Sequence, residues 1–342
     1  MTRPVNRQWL LARRPEGLVS TEDFRLAEAP AAEPSDGEAL VRNLYLSIDP
    51  TQRGWMAGDT YIPAVKIGEV MRSFAVGQVV ESRHPALRPG QIVQGLFGWQ
   101  EYAIARPGSS SSPTPVPAGL PIETAMSALG LTGITAYFGL LDVGRPKPGE
   151  TVVVSGAAGA TGAAAAQIAK IAGCRVIGIA GGPEKCRYLV EELGLDGAVD
   201  YKSENLARRL RELCPSGIDV FFDNVGGPAL DVVLLLLALR GRIVICGGIS
   251  HYNEARPASG PANYLALISK RGRMEGFLVL DYLSRAGEAV AALSGWMREG
   301  KLKDRVDVVE GLENAPAALL RVFEGKNRGK QLVKLASPTA AP

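Results

Sequence analysis

Residues 151–182, TVVVSGAAGATGAAAAQIAKIAGCRVIGIAGG, constrain this chain more than any other stretch. Thr151, Val152, Val153 and Val154 form a β-branched run without polar alternation, the pattern of a strand buried in a parallel sheet. Gly156, Gly159 and Gly162 follow at three-residue spacing. A small-residue helical pattern then covers 163–172, and a second apolar run covers 174–179. Strand, glycine turn, helix and strand make one βαβ unit, the opening of a dinucleotide-binding fold. A pyrophosphate is held by backbone N–H groups at a helix N-terminus, and side chains there would keep it away. Ala157, Ala158 and Ala160 keep that approach open, and Gly162 lets the helix lie close on the sheet. The plain alternative is a tightly packed helix that binds nothing; the strand-turn-helix-strand context favours the dinucleotide.

At 342 residues the chain has room for about two domains. Its composition is that of a globular protein, and a net charge of +3 points to neither nucleic acid nor a membrane surface. The longest apolar run in a helical pattern, 232–239, is far too short for a bilayer span. Arg3, Arg7, Arg13 and Arg14 precede the first acid, Glu16, without the apolar segment of a secretory signal. A transit peptide is a weaker reading than a first strand over 8–11. Cys174, Cys186, Cys214 and Cys246 show no C-x-x-C spacing, against a disulfide framework or a structural zinc site. A reducing, cytoplasmic setting is the simple expectation.

Residues 1–127 read as β-rich, with strand patterns at 39–46, 77–81, 91–97 and 99–104 punctuated by Pro and Gly, as in a small antiparallel barrel. The serine-rich stretch 108–117 reads as a surface loop. A helix is expected over 123–141. Further α/β alternation places strands at 197–201, 218–224, 241–248 and 273–279. It also places an apolar, buried or interfacial helix at 229–239 and a last helix at 287–299. Beyond 305 the pattern changes: a strand at 306–309, a helix at 315–323, a strand at 331–335 and a frayed end at 338–342.

NAD sites carry an acid at the end of the second strand to bind the ribose hydroxyls. Here that strand ends Ile179, Ala180, Gly181, Gly182, with no acid. Lys185 lies just beyond, placed to meet a 2′-phosphate, although Glu184 beside it weakens the argument and a solvated helical lysine is the plain alternative. The reading is NADP over NAD.

The chain resembles the zinc-independent medium-chain dehydrogenase/reductases, within them the leukotriene B4 dehydrogenase/prostaglandin reductase group with its curcumin and alkenal double-bond reductases. The resemblance rests on LSIDPTQRGWM (46–56), YIPAVKIGEVMRSFAVGQVV (61–80), LGLTGITAYFGLL (129–141), the glycine turn, IAGGPEKCRYL (179–189), FFDNVGG (221–227), CGGISHYN (246–253), RMEGFLV (273–279) and GKNRGK (325–330). These segments run in order along nearly the whole chain. The resemblance implies an α/β protein: a Rossmann doubly wound parallel sheet over 128–304 plus a β-rich GroES-like barrel catalytic domain split over 1–127 and 305–342. It implies NADPH-dependent reduction of a C=C bond conjugated to a ketone or aldehyde, an enone or enal substrate, and a homodimer; with the charge and run lengths above, no nucleic-acid or membrane partner is expected. Zinc relatives hold their metal with Cys, His and Glu in the first domain. This chain has no Cys before Cys174, Asp49 stands in that region, and its histidines are His84 and His251, so no metal is expected.

The same resemblance assigns Gly159, Ala160, Thr161 and Gly162 to the pyrophosphate. It assigns Lys185 and Tyr201 to the 2′-phosphate, and Asn224 to the cofactor's ribose. Cys246, Gly247, Gly248, Ile249, Ser250, His251 and Tyr252 fall along the nicotinamide half. Phe277, Leu278 and Val279 fall at the nicotinamide through their backbone, and Asn327 reaches the cofactor from the C-terminal segment. For each, the plain alternative is a strand-end residue satisfied by its own turn. Enone reduction also needs a donor for the developing enolate oxygen. Tyr61 is the first candidate, Tyr252 the second and Tyr264 the third; a half-buried barrel tyrosine is the plain reading of Tyr61. No residue stands out as the proton donor. Ser269, Lys270 and Arg271 replace a tyrosine of some prostaglandin reductases, which puts an eicosanoid role in doubt. The irregular stretch 252–264 is expected to cover the site. A quinone reductase of the same superfamily and a non-catalytic NADPH-binding protein remain as alternatives.

Overall fold

The computed structural model describes residues 3–108, 112–117, 119–254 and 259–339. Part of the serine-rich loop, Pro257 of the 252–264 stretch and residues 340–342 lie outside them. The strands in chain order are β1 (Val5–Leu11), β2 (Phe24–Pro30), β3 (Ala39–Ser47), β4 (Ala75–Ser82), β5 (Ile92–Gly95), β6 (Tyr102–Ala105), β7 (Thr114–Pro115), β8 (Thr151–Ser155), β9 (Arg175–Ala180), β10 (Gly197–Asp200), β11 (Ile218–Asp223), β12 (Leu237–Ile245), β13 (Arg273–Gly276), β14 (Val306–Glu310) and β15 (Lys330–Lys334). The chain divides into two compact units. One holds the described residues of Met1–Met126, Asp307–Asn327 and Gln331–Pro342; the other holds Ser127–Val306 and Arg328–Lys330.

The first unit is built on an antiparallel sheet of order β14-β15-β3-β4-β5-β7, with β6 also paired to β3 and a separate β1-β2 hairpin. Strand β3, ALVRNLYLS, is buried at every position but Arg42, because neighbours cover both its faces. Trp99, Phe97, Leu44, Leu46, Met56 and Met71 fill this core. The expected fraying of the tail does not extend to Thr339. Its amide (2.9 Å) and hydroxyl (2.9 Å) donate to Gln78 Oε1, and its carbonyl accepts from Gln78 Nε2 at 2.8 Å. A buried glutamine on β4 thus anchors a segment that looks featureless in sequence.

The second unit holds a parallel sheet of order β10-β9-β8-β11-β12-β13. With β8 as the first strand this is the order 3-2-1-4-5-6 of a Rossmann fold, whose switch point lies between β8 and β11. Val152, Val153, Val154, Ile177, Phe221 and Phe222 are wholly buried, as the continuous apolar runs require. A helix, Ala160–Ile171, follows the glycine turn.

Two helices expected from sequence are divided. The 123–141 pattern becomes Ile122–Met126, Leu131–Phe138 and a π-helical stretch Gly139–Gly144. The chain doubles back at 127–130, where Thr132 Oγ1 donates to the Ser127 carbonyl at 2.9 Å. A Cβ on Gly133 would stand 1.8 Å from the Ala128 oxygen, so only glycine permits the fold-back. The apolar 229–239 run is helical only over Gly227–Leu236; Leu237 then opens β12 and pairs with Ile218. An unbroken apolar run carries no period by which to separate helix from strand. Its burial is also partial: Leu230, Val233, Leu234 and Leu237 are buried, while Leu235 and Leu239 are exposed. The strand expected over 273–279 stops at Gly276, and Val279–Arg285 is a 3-10 helix.

Candidate functional site

The switch point is held by a buried polar network. Ser155, the last residue of β8, donates its hydroxyl to Asp223 Oδ1 at 2.7 Å. The same oxygen accepts the amides of Val225 and Gly226, each at 3.0 Å, so the turn after β11 closes on its own carboxylate. Asn224 is oriented twice by Ser155: its amide donates to Oγ at 2.8 Å, and its Nδ2 donates to the carbonyl at 2.7 Å. Asp223 is wholly buried, and its Oδ2 has no hydrogen-bond partner among the described residues. Burial pushes its carboxyl above the usual range, against the opposing hydrogen bonds from Gly226, Ser155 and Val225.

The segment 246–252 is laid onto this turn by backbone bonds. The amides of Cys246 and Gly247 donate to the Asp223 carbonyl at 2.8 and 3.1 Å, and that of Ile249 donates to the Asn224 carbonyl at 3.3 Å. Ser250 gives both its amide (3.1 Å) and its hydroxyl (2.6 Å) to the Val225 carbonyl. Tyr252 folds back so that its hydroxyl accepts the Gly248 amide at 3.3 Å. Burial, with Asp223 adding to it, pushes the Cys246 thiol up to about 12.

The glycine turn is close-packed. Gly156 has φ +57°, and the Gly159 amide donates to the Gly156 carbonyl at 2.9 Å. A Cβ on Gly162 would lie 2.3 Å from that carbonyl oxygen and 2.9 Å from Ala157 Cα, so the third glycine is required for helix-on-turn packing. At Gly159 a Cβ would meet the same carbonyl oxygen at 3.3 Å, a milder but still tight contact. Ala160 and Thr161 open the helix just beyond. Gly159 also forms a parallel bridge with Gly329.

At the ends of β9 and β10 the Tyr201 ring lies against Gly181, where a Cβ would stand 2.9 Å from it. Tyr201 is exposed, and Lys185 is half-buried in the short helix Pro183–Arg187. Asp200 is a residue that the sequence reading missed. Its Oδ1 accepts the amides of Gly182 (2.7 Å) and Lys202 (3.0 Å), and its Oδ2 accepts the Ser203 hydroxyl (2.8 Å). These contacts, led by the Gly182 amide, hold its carboxyl below the usual range. An acid does stand near the end of β9, but it is committed to two turns. Its only sequence signal is an Asp next to the last residue of a strand pattern, with Ser three residues on.

The Phe277 ring fills the space that a side chain at Gly139 would need, 2.3 Å from such a Cβ, and meets Tyr282 edge-on at 6.3 Å. The ring is turned into the unit. The glycine turn, Asn224, the 246–252 segment and Phe277 thus all follow the C-terminal ends of β8, β11, β12 and β13. Ligands bind at that end of such a sheet.

In the first unit Tyr61 is 48% exposed, with its hydroxyl 3.0 Å from Thr51 Oγ1. Asp49, in the region of the zinc relatives' ligands, is bonded to the Ser47 hydroxyl, and its amide donates to Gln52 Oε1 at 3.2 Å. His84 Nδ1 accepts the Ala86 amide at 3.1 Å in a local turn. Among the described residues no group of three or more His, Cys, Asp or Glu is placed to hold a metal ion. Asn327 is half-buried and directly precedes Arg328, and Tyr264 is exposed.

Comparison with known proteins extends this picture. Residues 7–112 match the model of an N-terminal domain of oxidoreductase, and residues 160–294 match that of a zinc-binding dehydrogenase. The chain is 43% identical to the NADPH-dependent curcumin reductase of Escherichia coli over 340 residues, 97% of each chain. It is 40% identical to mouse (Mus musculus) prostaglandin reductase 1 over 332 residues, 96% of this chain and 98% of the relative. It is also 40% identical to the 2-alkenal reductase (NADP(+)-dependent) of Nicotiana tabacum over 302 residues, 87% and 88%. The crystal structure of CurA from Vibrio vulnificus in complex with NADPH superposes with a TM-score of 0.91 at 42% identity, covering 97% of this chain and 100% of that one. An Escherichia coli quinone oxidoreductase shares the fold at a TM-score of 0.77, 21% identity and coverage of 96% and 100%.

Proposed function

Because the chain belongs to the zinc-independent medium-chain dehydrogenase/reductases, in the prostaglandin reductase group, we propose that it reduces the C=C bond of α,β-unsaturated ketones and aldehydes with NADPH. The observation that carries this is near-full-length likeness to three reductases whose names give that chemistry. The quinone reductase likeness, at 21% identity, supports the shared fold alone.

The second unit fits NADP(H). A Cβ on Gly182 meets nothing within 4 Å, and the acid nearest β9 is locked in its turns. Residues 159–162 take the pyrophosphate, with the start of a twelve-residue helix behind them. Lys185 and Tyr201 take the 2′-phosphate, Asn224 the ribose, and 246–252, 277–279 and Asn327 the rest. Bound there, NADPH supplies the hydride that the substrate's β-carbon receives.

The chain's own residues do the remaining work. Ser155 and Asp223 hold Asn224 and the loop it supports in one arrangement, so those backbone groups are set before ligand arrives. The Tyr61 hydroxyl donates to the substrate carbonyl oxygen as negative charge grows there, with Tyr252 the second candidate. The α-carbon takes its proton from solvent. In this reading the split domain 1–127 and 305–342 is the catalytic one, and 128–304 holds most of the cofactor's contacts.

Two coarser properties complete the proposal. Among the described residues no helix is long and apolar enough to cross a membrane. The free cysteines fit a reducing cytoplasm. Strand β13, with exposed Met274, ends the parallel sheet among the described residues, and Tyr264, Leu265 and Ile268 in the segment leading into it are exposed. An apolar edge of this kind supports a homodimer formed edge to edge. Ile268→Glu then yields monomers in analytical ultracentrifugation; an unchanged sedimentation coefficient refutes that edge.

The deciding assay follows NADPH absorbance on the purified protein with alkenals, alkenones, curcumin and quinones, beside NADH. Enone turnover with NADPH preference supports the proposal. Turnover with quinones alone moves the protein to the quinone reductases, and binding without turnover makes it a cofactor-binding protein.

A further inference from the structure

One charge pair of the second unit lies outside all the contacts assigned above. Gly329 bridges Gly159 of the glycine turn, which puts Arg328 beside the pyrophosphate cradle. The backbone there is pinned. The Lys330 amide donates to the Arg305 carbonyl at 2.9 Å, and a Cβ on Gly329 (φ +82°) would come within 2.1 Å of that same oxygen. From this fixed point the Arg328 side chain reaches Glu184, with Nη2 2.7 Å from Oε1 and 2.8 Å from Oε2. Glu184 directly precedes Lys185 on the helix after β9. The pair therefore spans the distance from the pyrophosphate turn to the edge assigned to the 2′-phosphate.

Both side chains are largely exposed, 56% for Arg328 and 64% for Glu184. Exposed ion pairs are weak because water screens them and two long side chains must be ordered. A phosphate monoester carries more charge than a carboxylate and offers three acceptor oxygens to a planar guanidinium. We infer that Arg328 is a specificity-determining residue for the cofactor's 2′-phosphate, and that Glu184 holds it as a competing partner that the phosphate displaces. The inference rests on the NADP(H) reading and deepens it. Glu184 acts twice in this arrangement: it occupies the guanidinium, and its charge opposes the incoming phosphate. Removing the carboxylate therefore strengthens 2′-phosphate binding, whereas a merely structural surface pair would have no such sign.

The test needs no catalysis. Isothermal titration calorimetry on the full chain compares adenosine 2′,5′-bisphosphate with ADP. The wild type binds the bisphosphate more tightly. Arg328→Ala weakens the bisphosphate by about fivefold and ADP by less than about twofold, and Glu184→Gln tightens the bisphosphate by about threefold without moving ADP. Equal affinity of the wild type for the two nucleotides would bring down the NADP(H) reading and this inference together. A 2′-phosphate preference in the wild type that neither variant alters, or a Glu184→Gln variant that binds the bisphosphate more weakly, would overturn the inference alone.

Discussion

The nicotinamide side of the proposed cofactor site and its adenosine edge are held by opposite means. The first rests on two buried side chains, Ser155 and Asp223, which hold half-buried Asn224 and a loop laid over the turn by backbone bonds. The second rests on exposed or half-exposed side chains, Tyr201, Lys185 and the Glu184–Arg328 pair. In the buried cluster every lost bond leaves an unsatisfied group out of water, so position is rigid and errors are expensive. At the exposed edge charge is screened and exchangeable, so it tunes preference without fixing the fold. The difference teaches where to look for each property: geometry in the buried half, NADPH-over-NADH choice at the edge.

The largest expected effect tests the buried half. Gly162→Val drives a branched side chain into the Gly156 carbonyl and is expected to lower stability by about 3 kcal/mol. It should impair NADPH and NADH alike; a normal melting temperature with normal binding would refute the close-packing argument. Asp223→Ala strips the Val225 and Gly226 amides and the Ser155 hydroxyl of their shared acceptor, for about 2 kcal/mol in urea denaturation. Again both cofactors should suffer equally, and a selective loss of NADPH binding would break the comparison.

Tyr61→Phe comes next and concerns the first unit. Turnover falls about tenfold with NADPH affinity kept, if its hydroxyl is the carbonyl donor. Unchanged turnover would pass the role to Tyr252. Lys185→Ala, at the exposed edge, raises the KM for NADPH about fivefold with little change in stability or in the KM for NADH. An equal rise for both cofactors would remove the 2′-phosphate assignment.

The smallest effect is a pH dependence. Asp223 is raised in the folded state above its unfolded value, so the folded state holds its proton more tightly. The stability linked to that proton is fully present below the unfolded carboxylate value and is lost as pH rises through the raised folded value. Asp223→Asn keeps the Oδ1 acceptor without a charge. It should therefore gain most on the wild type at pH above that folded value, with the gap in melting temperature narrowing as the medium is acidified. A gap independent of pH would mean that Asp223 does not titrate in this window.

Legibility in the sequence follows how local each determinant is. The β8–turn–helix–β9 unit was readable because a β-branched run, three glycines and a small-residue helix act within about thirty residues. The helix Ala315–Phe323 has the bounds that its period predicts. The 229–239 run was misread because eight consecutive apolar residues fit helix and strand equally, and only pairing of Leu237 with Ile218 settled it. The break in 123–141 turned on a backbone contact between Gly133 and Ala128 that no period records.

What the chain's sequence determined by itself is the cofactor fold's opening and the chemistry available there. It put three glycines at the first strand-to-helix turn, no acid among 179–182, a lysine at 185, and no cysteine before Cys174. What only the tertiary structure decided is how those groups are spent. Asp200 is committed to the Gly182 and Lys202 amides, the Phe277 ring is turned inward over Gly139, and Arg328 is paired with Glu184 across 144 residues of sequence. The reason is physical: residue type and spacing fix which bonds a side chain can make, while which of them it makes depends on the distant chain folded beside it.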